Sequence, residues 1–135
     1  MTKNEFIPYE QALALKELGF DEPCLFWYNL SDDNKLATNA QFDSYNPVTY
    51  TNTTIPKKSS YNKELKSITA PLYQQAFRWF REKYNLHQIV LADEKGKYDI
   101  IVGERISGSC LGQYETYEEA ELECLKKLIE IVKTK

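Results

Sequence analysis

The sequence predicts an α+β fold: three helices packed on a small antiparallel sheet of four to five strands, in the order α-β-β-loop-α-β-β-(β)-α. Three observations predict it. Three segments carry apolar residues at helical spacing behind recognisable start signals. A strong hairpin signal lies between the second and third of them. Finally, 135 residues with 42% hydrophobic content amount to one domain of residues 1–135 with one core.

The helices share an opening, Tyr, two Glu/Gln, then Ala, at Tyr9-Glu10-Gln11-Ala12, Tyr73-Gln74-Gln75-Ala76 and Tyr117-Glu118-Glu119-Ala120. Tyr and Ala at i and i+3 share a face, and the polar pair points outward at the positive end of the helix dipole. Unequal separations make this a reused helix start, not a repeat period. The first helix is expected to begin at Pro8 and stop at Gly19, with Tyr9, Ala12, Leu15 and Leu18 inward and Phe20 folded over its end. The second covers 71–84, with Tyr73, Ala76, Phe77, Phe80 and Tyr84 as its stripe, Leu72 and Trp79 widening it, and Asn85 as the left-handed stop. The third opens on a capping box, Thr116 with Glu119, and presents Cys124, Leu125, Leu128, Ile129, Ile131 and Val132 to the sheet. Glu123 and Lys127 stand at the i, i+4 spacing of an ion pair.

Strands are expected at 24–29, weakly at 35–38, at 87–92 and 97–102 around the turn Asp93-Glu94-Lys95-Gly96, and as a short third strand at 110–114. Between 39 and 69 the composition turns to Asn, Thr, Ser, Tyr and Lys, broken by Pro47 and Pro56. This stretch reads as a long polar loop or insertion, with at most an edge strand at 48–51. Deleting 45–63 is therefore expected to leave the fold intact.

Several chemistries find little support. Cys24, Cys110 and Cys124 are odd in number and widely spaced, which argues against a disulfide framework; Cys24, opening an apolar run, and Cys124, on the apolar side of a helix, read as small buried hydrophobes. With His87 the one histidine, no metal site is expected, and no cofactor. The segment 103–110 has glycines five apart, but Ser109 stands where a phosphate loop needs lysine, so it reads as a turn. Glu115, Glu118, Glu119, Glu121 and Glu123 read as the solvated start of a helix, and His87 as an edge or capping residue. A net charge of −3 gives no electrostatic case for a polyanionic partner. No apolar leader follows Met1, and no stretch approaches the ~20 apolar residues that cross a bilayer, so the expected location is cytoplasmic with no membrane partner.

The functional candidate is the polar loop. Lys57, Lys58, Lys63 and Lys66 face one acidic residue, Glu64, and Tyr45, Tyr50 and Tyr61 are interleaved with them. Tyr-rich adaptable segments make protein contacts. Lysines among aromatic platforms also suit single-stranded nucleic acid, although no nucleic-acid fold motif accompanies them.

Three stretches carry a resemblance: Glu17-Leu18-Gly19-Phe20-Asp21-Glu22-Pro23-Cys24, the run from Ala70 through Arg78-Trp79-Phe80-Arg81-Glu82-Lys83-Tyr84, and the run from Tyr114 through Glu130. In these the chain resembles a group of small proteins encoded by phages and mobile elements of Bacteroidetes. The resemblance implies that origin and carries no activity and no catalytic residues. The resulting expectation is a non-enzymatic accessory protein in the bacterial cytoplasm, binding a host or phage protein or pairing as a homodimer. Its interaction residues would be Tyr45, Tyr50, Lys57, Lys58, Tyr61 and Lys63. The alternative is single-stranded nucleic-acid binding through the same loop. A third reading is a small enzyme with a site dispersed over His87, Tyr98 and Glu104.

Overall fold

A computed structural model describes residues 5–29, 35–38, 49–55, 67–104 and 112–134. Their order is α1 (Tyr9–Glu17), β1 (Phe26–Asn29), β2 (Lys35–Thr38), β3 (Ser67–Thr69), α2 (Tyr73–Tyr84), β4 (His87–Ala92), β5 (Tyr98–Gly103) and α3 (Tyr117–Lys133). The α+β class holds. The single sheet does not: the described strands form one three-stranded sheet, β2-β1-β3, and one two-stranded sheet, β4-β5, both antiparallel. The physical reason is that β1 has both edges filled, by β2 on one side and on the other by β3. That strand lies at the end of the stretch where the sequence showed no element. The contacts divide the chain into two compact units, Phe6–Pro71 and Leu72–Lys135 joined by the first residues.

In the first unit, Pro8 sits just outside α1 as its N-cap, with ψ 159°, rather than inside as its first residue. The end of α1 follows the expected chemistry. Gly19 takes φ +95°, its N–H donates to Lys16 O at 3.0 Å, and the Phe20 N–H donates to Leu15 O at 2.9 Å. This is a Schellman closure in which Phe20 and Leu15, both buried, supply the hydrophobic contact. The core gathers Ala12, Tyr28, Ile68 and Ala70, with Tyr9, Leu13 and Phe26 around it. Tyr28 is held at both ends: its ring meets Tyr9 edge-on at 5.8 Å and its hydroxyl donates to Ile7 O at 2.7 Å.

Part of the polar stretch is tied into this core. Cys24 and Tyr50 form an antiparallel bridge, and Tyr50 meets Trp27 edge-on at 5.7 Å. The Asn52 amide donates to Phe20 O at 2.8 Å and accepts from Thr69 N–H at 2.9 Å, which joins the end of α1 to β3. Ile55 is only 3% exposed. Deleting 45–63 would thus remove a buried side chain and a bridging amide, contrary to the expectation that the fold would survive it.

In the second unit, α2 buries Tyr73, Ala76, Phe77, Trp79 and Phe80. Trp79 belongs to the buried set, whereas Tyr84 is only half-buried and meets Trp79 edge-on at 5.4 Å. Asn85 ends the helix at φ 56°, the left-handed conformation that an Asn tolerates. The hairpin β4–β5 pairs His87 with Gly103 through to Ala92 with Tyr98. Its turn is closed by Asp93, whose Oδ1 accepts from Lys95 and Lys97 N–H, with Gly96 at φ +79°. Of the third strand expected at 110–114, only 112–114 fall among the described residues, and there Tyr114 forms one antiparallel bridge with Tyr98. Helix α3 lies on β5 and β4 and also touches α2. Thr116 Oγ1 accepts from Glu119 N–H at 3.1 Å, so the N-cap is present. The ion pair falls elsewhere than expected: Glu123 meets Lys126 at 3.5 Å rather than Lys127.

Candidate functional site

Strand alternation sorts the hairpin into two faces. Gln88, Val90 and Ala92 share one face with Val102, Ile100 and Tyr98, their register partners. Ile100 is fully buried and Tyr98 meets Tyr117 of α3 edge-on at 5.8 Å, so this is the face on which α3 docks. The other face carries His87, Ile89 and Leu91 with Gly103, Ile101 and Asp99. Ile89 and Ile101 are half-buried there, and Leu91 is 42% exposed.

The direction of the main-chain groups follows from two sets of bonds. Asp93 N–H donates to Lys97 O at 2.8 Å, so that pair is hydrogen-bonded across the hairpin. Tyr98 exchanges both its bonds with Tyr114, at 2.9 and 2.8 Å, so the groups of Tyr98 point away from β4. Hydrogen-bonded and non-hydrogen-bonded pairs alternate in an antiparallel ladder. Hence Leu91, Ile89 and His87 bond inward to β5, whereas Ala92, Val90 and Gln88 turn their N–H and C=O groups outward. Among the described residues no strand pairs with that outer edge. Natural edge strands are commonly blunted by charge, proline or a bulge. His87-Gln88-Ile89-Val90-Leu91-Ala92 contains no Lys, Arg, Asp, Glu or Pro.

A second concentration of unusual groups lies on the first turns of α3. Four of the five carboxylates expected at a solvated helix start are exposed or half-exposed: Glu118 and Glu119 face solvent, Glu115 meets Lys97 at 3.3 Å, and Glu123 meets Lys126. Glu121 departs from that expectation. It is only 8% exposed, and burial, with the Glu118 charge beside it, pushes its carboxyl up to about 7. The reason is rotational: position 121 follows Ala120 and precedes Cys124 on the inward-facing side, so its stem is drawn into the packing. Burial, with Glu121 and Glu123 nearby, pushes the Cys124 thiol up to about 12. Such a thiol stays protonated at neutral pH and is a poor nucleophile. Further along α3, an open groove of about 250 Å³ is lined by Val102, Lys127, Glu130, Ile131 and Thr134.

The residues singled out by sequence fare unevenly. Tyr50 is half-buried and engaged with Trp27 and Cys24, so most of its surface serves the fold. Tyr45, Lys57, Lys58, Tyr61 and Lys63 lie outside the described residues, as do Cys110 and most of the glycine-bearing segment 103–110. His87 opens β4, and its Nε2 stands 3.2 Å from Asn85 Oδ1, a contact with a side chain rather than with a helix carbonyl. His87 and Tyr98 do not converge: they sit at opposite ends of the hairpin and on opposite faces. Glu104 follows Gly103 at the His87 end. Among the described residues no group of three or more His, Cys, Asp or Glu is placed to hold a metal ion. None of their helices is long and apolar enough to cross a membrane. The sequence records that β4 is uncharged over six residues, as other segments of the chain are, but not that no described strand pairs with its outer edge. No family model, curated protein or solved structure matches this chain.

Proposed function

We propose that this chain is a non-enzymatic protein-binding module of phage or mobile-element origin, acting in the bacterial cytoplasm, and that its docking element is the outer edge of β4. One observation carries the reading: an uncharged six-residue edge strand whose outward main-chain groups are unpaired among the described residues, beside the half-exposed Ile89, Leu91 and Ile101. Adding a strand to such an edge gives affinity through the main chain, and alternate side chains give selectivity. The apolar face supplies the area that makes the addition favourable in water.

A photo-activated crosslinking amino acid placed at position 91 in the expressed protein tests this directly. The expected result is a discrete protein adduct on irradiation in cells, absent when the same amino acid replaces the solvent-facing Glu119. Equal labelling at the two positions, or none at 91, would overturn the reading.

A further inference from the structure

Resting on that reading of the β4 edge, we infer that its partner is a second copy of this chain, joined through antiparallel pairing of β4 with itself into one continuous sheet, β5-β4-β4-β5. A two-fold axis relating two antiparallel strands must run through the sheet perpendicular to it, so one residue faces itself across the axis. Only Gln88, Val90 and Ala92 turn both main-chain groups outward. Pairing is therefore fullest when Val90 faces Val90 of the second copy and each Gln88 faces the other's Ala92. Centring the axis on Ile89 would leave Ala92 without a partner strand residue.

That register also suits the side chains. On the face away from α3 it sets Ile89 beside Leu91 of the second copy, twice. These are non-hydrogen-bonded pairs, in which side chains approach most closely. Leu91, 42% exposed in one chain, is thereby covered. The same register brings His87 of each copy opposite Asp93 of the other, an imidazole against a carboxylate. No pair of like charges meets along the edge, because the strand carries none. The union extends the two-stranded hairpin, already packed under α3, into a four-stranded sheet.

The test combines sedimentation equilibrium with residue-resolved amide exchange on the full chain. The expected species is twice the chain mass. The amides of Gln88, Val90 and Ala92 should be protected in it and exchange freely on dilution to monomer, whereas those of Ile89 and Leu91 stay protected in both states. Leu91→Lys places a lysine opposite Asp99 of its own hairpin and so suits the folded monomer. It should raise the dimer dissociation constant roughly a hundredfold, because two leucine side chains lose their burial. A protein that stays monomeric at high concentration, or a dimer in which amides 88, 90 and 92 remain unprotected, overturns the inference. Protection of those amides in a monomer overturns it too, since the edge would then be covered within one chain. A monomer that still crosslinks a different protein from position 91 leaves the binding-module reading standing without self-pairing. If there is neither dimer nor adduct, both fall.

Discussion

Two residues show how burial against type sets local behaviour. Glu121 ionises near 4.5 when solvated, but in the folded chain it holds its proton up to about 7. A raised carboxyl gives stability that is complete below pH 4.5 and is lost as pH climbs to about 7, because the unfolded chain ionises first. Glu121→Gln lacks that loss. Urea unfolding at pH 4 should find it close to the native chain, and at pH 8 more stable by on the order of 2 kcal/mol. Thr69 offers a second case. It is 1% exposed, and among the described residues its Oγ1 has no hydrogen-bond partner. Thr69→Val keeps the shape and removes the stranded hydroxyl, so it should stabilise by about 1 kcal/mol in the same unfolding assay. Neither position was legible beforehand: glutamate at a helix start and threonine in a polar stretch both read as solvent-facing.

At the scale of elements, local chemistry is legible at three helix boundaries and less so at the start of α1, where Pro8 lies outside the helix. Gly19 and Asn85 end their helices in the left-handed conformation, and Thr116 caps α3 through Glu119 N–H. Thr116→Ala should cost about 1 kcal/mol and be visible as a lowered melting temperature. The turn from Asp93 to Gly96 likewise fixes the register of β4 and β5. What local pattern could not supply was β3. Ser67, Ile68 and Thr69 are too few for a period, and they are a strand because β1 lies beside them. For the same reason Asn52 gave no signal: its value lies in joining Phe20 to Thr69, residues far from it in the chain.

For the whole molecule, cohesion comes from two cores, and each should respond to truncation on its own. Ile68→Ala in the first unit and Leu125→Ala in the second should each cost about 3 kcal/mol, since both side chains are almost fully buried. Leu91→Lys, on the exposed sheet face, should leave the melting temperature of the monomer nearly unchanged. A large loss at Leu91 would mean that β4 is covered within one chain.

The sequence by itself determined the helices, the stops at Gly19 and Asn85, the cap at Thr116, the hairpin and the α+β class, because periodicity, caps and turn residues act over a few neighbouring positions. Only tertiary structure decided that the described strands separate into two sheets, that Glu121 is buried, and that no described strand pairs with the outer edge of β4. Strand pairing and burial depend on residues distant in the chain, and no local pattern records which edge a neighbour will fill.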